Sequence, residues 1–317
     1  MTRAIVLAGP TGVGKSRIAV EVAERLNGEI ISADSRQVYR HLRIGTARPS
    51  RGEMSRVPHH LTGFLDPREA YSAGRFARDA SEIVEAVDRR GRLPVICGGT
   101  GFYIKALLEG LFDEGFAIEE RENVERTRRS LEAELERAGP SELHKRLRDL
   151  DPESAARIHP HDSQRIIRAL EVFEVSGIPL SRHQKGAPPQ IPVIEAYKIC
   201  ISLPRPILYE VIDRRVEEMF EKGLVEEVAE LLGKGYGRET PAFESLGYTD
   251  VVRYLSGEIG REAAIDRMRA RTRQYAKRQL TWFGHEGGYH WITAGEESVG
   301  RIVAGWGEYI RQKGERE

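Results

Sequence analysis

Cysteine is nearly absent: Cys97 and Cys200 are the only two in 317 residues, too few for a disulfide scaffold or a four-cysteine zinc module. No apolar run approaches the roughly 20 residues that a membrane-spanning helix needs. The longest such runs are strand-sized, so no membrane partner is expected. There is no internal repeat and no low-complexity tract. Net charge is lacking as well, since 49 basic residues balance 49 acidic ones. That neutrality does not exclude a nucleic-acid partner, because the charge is unevenly spread. Residues 267–278 hold Arg267, Arg269, Arg271, Arg273, Lys277 and Arg278 and not one acid. The opening residues run through Ala4-Ile5-Val6-Leu7-Ala8 into a glycine-rich turn and leave no room for a signal-peptide core, so a cytoplasmic location is expected.

With 40% hydrophobic and 31% charged residues, the composition is that of an ordinary globular enzyme, long enough for two domains with their own cores. Residues 4–7 form a short apolar run, as in a buried parallel strand. Residues 15–26 place Ile18, Val22 and Leu26 on one helical face, and Asn27-Gly28 is a stop signal. Residues 29–33 predict a second strand ending at Asp34, and residues 34–60 a polar, Pro-containing loop. Ser72 can cap a helix reaching about Arg90, and residues 93–97 make a third strand that enters Gly98-Gly99-Thr100-Gly101. Strand signals then vanish from about 117 to 192 in favour of charged amphipathic helices, ending in the loop composition Gly186-Ala187-Pro188-Pro189. An apolar strand returns at 196–203, and one late strand is expected at 289–292. The pattern predicts an α/β P-loop core with a parallel sheet flanked by helices and an inserted all-helical domain. The expected boundaries are 1–116 for the first part of the core, 117–195 for the insertion, and 196–317 for core completion with basic C-terminal helices.

Gly9-Pro10-Thr11-Gly12-Val13-Gly14-Lys15-Ser16 matches the full P-loop pattern between a strand and a helix. Its glycines let backbone N–H groups turn toward a diphosphate or polyphosphate at a helix N-terminus. Lys15 would neutralise phosphate charge, and the Ser16 hydroxyl would ligate Mg²⁺. An NTP hydrolase would also need a strand-end Asp for the metal, and the third strand runs instead into Gly98-Gly99-Thr100. The second strand ends in an acid, Asp34, expected beside the P-loop strand and at the crevice where open α/β sheets bind ligands. Taken alone, Asp34 reads more readily as the cap of a helix through Ser35 to Tyr39, and Thr100 reads as a turn residue; together, beside a phosphate cradle, they fit an active site. His59 and His60 point to different sides and have no third ligand at zinc-like spacing; they read as structural, as do Cys97 and Cys200 in their apolar strands.

Seven words taken together carry a resemblance. They are Asp34-Ser35-Arg36-Gln37-Val38-Tyr39, Ile44-Gly45-Thr46-Ala47-Arg48-Pro49, His59-His60-Leu61, Gly98-Gly99-Thr100-Gly101-Phe102-Tyr103, the run from Asp151-Pro152-Glu153 to Ile158-His159-Pro160, the run from Gln164 to Val172, and the run from Arg273 to Phe283. In this order and spacing, from about Ile5 to Phe283, the chain resembles the tRNA dimethylallyltransferase (tRNA isopentenyltransferase) family of bacterial type. The resemblance implies transfer of a dimethylallyl group from its diphosphate to the exocyclic N6 of the adenosine just 3′ of the tRNA anticodon. It implies Asp34 as general base, Thr100 as a neighbour of the reacting centre or of tRNA, and Arg215 as a further cation on the diphosphate. Spacing alone does not choose between Arg215 and the adjacent Arg214.

The same resemblance implies RNA contact through Asp34, Ser35, Arg36, Gln37, Thr100 and Arg128, and through Gln164, Arg165, Ile166, Ile167 and Arg168. It extends that contact to Gly247, Tyr248, Arg273 and Lys277. Glu244 and Thr249 depart from the basic residues that some relatives carry. The cationic run at 267–278 self-repels unless an anion faces it; that anion is RNA or diphosphate, or else acids from elsewhere in the fold. Trp282 and Phe283 read as core. Mg²⁺ is the expected cofactor, the tRNA anticodon stem-loop and dimethylallyl diphosphate the expected partners, and a monomer the expected state. The competing readings are a small-molecule P-loop phosphotransferase, prenylation of free adenylate, and an RNA-binding protein with a nucleotide switch.

Overall fold

The computed structural model describes residues 2–110, 121–184 and 193–314. The chain divides into two compact units, Met1–Glu109 with Ile191–Glu317, and Gly110–Gln190. The expected boundary at 116 and 117 and the turn composition at 186–189 lie outside the described residues.

The first unit is built on a six-stranded sheet: β1 Thr2–Ala8, β2 Gly28–Ser32, β3 His59–His60, β4 Leu93–Gly98, β5 Ile194–Ser202 and β6 His290–Thr293. Their spatial order is β3-β2-β4-β1-β5-β6, and every pairing is parallel. Ala4 to Ala8 of β1 are wholly buried, because the central strand has sheet neighbours on both sides and helices over both faces. Ile18 and Val22 of the Lys15–Arg25 helix pack into the same apolar cluster as Ile5, Leu7, Ile199 and Ile201. Among the described residues, no helix is long and apolar enough to cross a membrane.

Four expectations need correction here. β2 is not beside the P-loop strand: β4 lies between β2 and β1, so Asp34 and the Gly9–Ser16 loop are separated by the end of β4. Residues 34–60 are not all loop. Ser50 and Glu53 form a reciprocal capping box that starts a short helix, Arg51–Arg56, and His59–His60 pairs with β2. No helix follows Asp34; residues 35–38 are a turn. The return strand β5 also begins at Ile194, inside the span assigned to the insertion.

A partly buried staple holds the 43–45 turn in place. Glu227 accepts backbone N–H bonds from Arg43 at 2.9 Å and Ile44 at 3.0 Å, and a hydroxyl bond from Tyr248 at 2.6 Å. Tyr248 is fully buried, and burial together with the facing carboxylate holds its phenol well above the usual range, so it stays a donor. Glu227→Gln would oppose an amide N–H₂ or a weaker acceptor to those donors. It is expected to cost about 2 kcal/mol. In thermal unfolding followed by circular dichroism this would lower Tm by roughly 4–8 °C.

The second unit is helical: Arg121–Ala138, Pro140–Leu150, Pro152–Arg157, Ser163–Ser176 and Leu180–Gln184. Leu131, Leu143, Leu147 and Leu170 form its core, joined by Ile166 and Ile167. Asp151 caps the Pro152–Arg157 helix through Ser154 N–H at 3.0 Å and also accepts from Ser181 N–H at 2.9 Å.

Candidate active site

A cavity of about 490 Å³ opens at the carboxyl ends of the strands, within the size range of small-molecule sites. It is lined from one side by the Gly9–Ser16 loop and from the other by residues 34–37, with Gly98, Gly99 and Arg215 between and beside them. Two glycines make this convergence possible. At Gly9 a Cβ would stand 2.2 Å from the Ile201 carbonyl oxygen, and at Gly98 one would stand 2.0 Å from that of Ala33. Any larger residue would push the loop off β5 or drive the ends of β4 and β2 apart.

The Lys15–Arg25 helix starts from Gly14 in a left-handed conformation with no side-chain cap, which leaves its first N–H groups open to an anion. The Lys15 ammonium donates to the Pro10 carbonyl at 2.6 Å and so sits over its own loop. Burial pulls its pKa down to about 8, the Cys97 thiol and the Asp34 carboxylate oppose that fall, and Arg215 adds to it. The Ser16 hydroxyl lines the cavity and has no hydrogen-bond partner among the described residues.

Facing the loop, Asp34 is half-buried. Its Oδ1 accepts from the backbone N–H of Arg36 at 2.8 Å and of Gln37 at 3.2 Å. Its Oδ2 has no partner among the described residues. The carboxylate is therefore held by one oxygen and offers the other. Thr100 Oγ1 accepts the Ser35 N–H at 3.1 Å, so the two loops are tied next to Asp34. Tyr275 stands beside both, its phenol pushed up to about 12 by burial and by the Asp34 carboxylate. The choice between the adjacent arginines resolves to Arg215, which lines the cavity in the field of Asp34, while Arg214 is exposed.

Several residues expected to meet RNA are differently employed. Gln37 spends its amide N–H₂ on the carbonyls of Thr46 at 3.2 Å and Ala47 at 3.3 Å. Arg36 reaches the Pro241 carbonyl at 3.3 Å and Glu244 at 3.5 Å, so the acid that departs from the basic family pattern faces this arginine. Ile166, Ile167 and Tyr248 are buried core side chains and present no surface for RNA. Gly247 is required by a φ of 89° against Met268. On the helical unit, Gln164 and Arg165 are exposed, the latter 3.3 Å from Asp162. Arg168 pairs with the buried Glu171 carboxylate, and Arg128 approaches it at 3.9 Å.

The cationic run divides in the same way. Arg267 and Arg271 bind the buried Asp250 at 3.0 and 3.3 Å, Arg269 pairs with Glu217, and Arg273 pairs with Asp213. Acids from other helices thus supply the anion for these four. Lys277 and Arg278 have no acid partner among the described residues; Arg278 lies 5.7 Å from the Tyr275 ring centroid and lines the cavity.

Sequence reasoning missed Gln279. It is 6% exposed, lines the cavity, and bridges the Gly9–Ser16 loop to Gly99. A signal existed: a polar residue stands at a core position between Ala276 and Phe283, both buried. His60 is engaged with Glu29 at 2.7 Å, and among the described residues no three His, Cys, Asp or Glu side chains gather into a metal-binding group.

Comparison with known proteins fits this geometry to one group. The family model for IPP transferase matches residues 37–286. The chain is 48% identical over 290 residues to a tRNA dimethylallyltransferase of Desulfosudis oleivorans, covering 92% of this chain and 90% of that one. It is 45% identical to tRNA dimethylallyltransferase 1 of Citrifermentans bemidjiense, covering 92% of each. Among solved structures, a tRNA isopentenylpyrophosphate transferase of Bacillus halodurans superposes with a TM-score of 0.70 at 35% identity, over 100% of this chain and 98% of that one. A eukaryotic dimethylallyltransferase captured acting on tRNA gives 0.80 at 26% identity, over 98% of this chain and 80% of that one. By sequence and by fold, the chain belongs to the IPP transferase family of tRNA dimethylallyltransferases.

Proposed function

We propose that the chain transfers the dimethylallyl group of dimethylallyl diphosphate to the exocyclic N6 of the adenosine immediately 3′ of the anticodon, releasing diphosphate. One observation carries the reading: a carboxylate with one pinned and one free oxygen faces a cation-bearing anion cradle across a single cavity.

The diphosphate would lie on the open N–H groups of the Gly9–Ser16 loop and the Lys15–Arg25 helix, with Lys15 and Arg215 against its oxygens. As the allylic C–O bond breaks, the electron pair leaves with the diphosphate, where these donors are concentrated. The N6 lone pair of adenine is delocalised into the ring. Asp34 Oδ2 would orient that amine and take its proton as the new N–C bond forms. Thr100, tied to Ser35, would keep the acceptor side of the cavity in register. The donor set suits Mg²⁺. That ion keeps several waters and takes phosphate oxygens with one or two protein ligands, and the unpartnered Ser16 hydroxyl offers such a ligand without a carboxylate cage. When bound there, Mg²⁺ supplies further neutralisation of the departing diphosphate. To reach Asp34 the base must leave its stack, as in other enzymes that modify bases.

The reaction is tested with purified protein, Mg²⁺ and labelled dimethylallyl diphosphate, offered an anticodon stem-loop with adenosine 3′ of the anticodon. AMP in place of RNA is the parallel acceptor. Label in RNA is expected; label in AMP alone would move the acceptor to free nucleotides.

Lys15 gives this reading a pH signature. The free protein loses the ammonium as pH rises through about 8, whereas bound diphosphate favours the charged form. Above that pH, binding must take up a proton, and diphosphate affinity is expected to fall by up to about tenfold per pH unit. Titration calorimetry in buffers of different ionisation enthalpy at pH 8 would show the uptake. Buffer-independent heats would remove Lys15 from the site.

A further inference from the structure

We infer that Gln279 is a positioning residue for the transfer reaction, holding the donor cradle and the acceptor turn at one fixed spacing; this rests on the transferase reading above. Its Oε1 accepts the Thr11 N–H at 2.9 Å and its Nε2 donates to the Gly99 carbonyl at 2.8 Å. The orientation is dictated by chemistry, since the opposite one would set donor against donor and acceptor against acceptor. The fit is tight: a Cβ on Gly99 would stand 2.2 Å from Nε2.

Each end of this amide continues into the machinery. On one side Thr11 follows Pro10, whose carbonyl receives the Lys15 ammonium. On the other, Gly99 precedes Thr100, which accepts the Ser35 N–H next to Asp34. One buried side chain thus joins the loop that would hold the leaving group to the turn that would hold the acceptor amine. The Arg261–Glu286 helix is also anchored by Ala264, Met268, Ala276 and Phe283, which remain when the amide is changed. What the amide adds is register between the two halves of the cavity, where a displacement near 1 Å costs about 10²-fold in rate.

The amide needs one donor and one acceptor, and this gives a test that simple packing would not pass. In Gln279→Glu, a protonated carboxyl reproduces both bonds, O–H to Gly99 and C=O from Thr11; the ionised form has no proton for Gly99. The ratio of variant to wild-type kcat for transfer to the stem-loop is therefore expected to start within about tenfold of unity near pH 5.5. Burial at this position raises the carboxyl above the ordinary glutamate range, so the ratio should then fall by about a further 10²-fold as the carboxyl ionises toward pH 8.5. The charged and titratable groups lining the same cavity, Lys15, Arg17, Asp34, Arg36, Glu53, His59, Cys97, Arg215, Glu244, Tyr275 and Arg278, are present in both proteins, so what they contribute largely cancels in the ratio.

Gln279→Leu should be slow at every pH, with diphosphate binding retained. Gly99→Ala, which forces the amide away from the other side, should slow kcat comparably and serves if the Glu variant fails to fold. A ratio flat in pH, whether near unity or uniformly low, would overturn the inference, as would an undiminished Gly99→Ala. Wild-type protein that transfers no label to RNA would instead overturn the transferase reading itself.

Discussion

Asp34→Asn is expected to lower kcat for dimethylallyl transfer by about 10²–10⁴-fold, the usual size of a general-base contribution. Asparagine can still accept the Arg36 and Gln37 N–H bonds through its carbonyl oxygen, so the turn that Asp34 organises persists. What disappears is the basic oxygen, because the amide nitrogen cannot take a proton from N6. Asp34→Ala removes the turn bonds as well and should be at least as slow. Single-turnover rates separate the chemical step from RNA binding, which Asp34→Asn should change by no more than a few-fold. A rate within about threefold of wild type would place the base elsewhere.

Lys15→Met is the second large effect. Methionine is of similar length and removes only the ammonium, together with its bond to the Pro10 carbonyl. Charge develops on the diphosphate as the C–O bond breaks, so a cation aimed at it acts more strongly in the transition state than in the ground state. Removing one such group costs about 10²–10³-fold in kcat. Arg215 and the helix N-terminus remain, which keeps donor binding measurable. The depressed pKa sharpens the prediction: the wild type should lose rate at subsaturating donor above pH 8, and the methionine variant should lack that limb. A variant with unchanged kcat and weakened donor binding alone would make Lys15 a docking cation only.

Features whose physics is local were readable from the residues. The Gly9–Ser16 loop combines a strand, a glycine turn and a helix start within 25 residues, and each part has its own signature. Asp34 at a strand end was visible for the same reason. The relation between them was not, since nothing in residues 1–34 says that β4, contributed by residues 93–98, inserts between β1 and β2. The small edge strand His59–His60 is too short for a period to show, although the Ser50–Glu53 capping box ahead of it was there to be read.

Long-range pairing was the least legible. Arg267, Arg269, Arg271 and Arg273 look uncompensated in sequence because Asp250, Glu217 and Asp213 lie 17 to 60 residues away. Ile166 and Ile167 stand inside a word that resembles an RNA-contacting one, yet they pack into the helical core beside the exposed Gln164 and Arg165, and Tyr248 in its own word is likewise a buried side chain. Gln279 escaped notice because it was read as part of a basic word rather than as a polar residue on an apolar stripe.

The proposed reaction is defined by the atom that receives the five-carbon group. The most direct measurement is to react the protein with dimethylallyl diphosphate, Mg²⁺ and the anticodon stem-loop, digest the RNA to nucleosides, and locate the added mass by chromatography with fragmentation. A single modified adenosine is expected, 3′ of the anticodon, with the group on the base nitrogen N6. Modification of another nucleotide or of a ribose or phosphate oxygen would contradict it, as would RNA returned unmodified by folded protein.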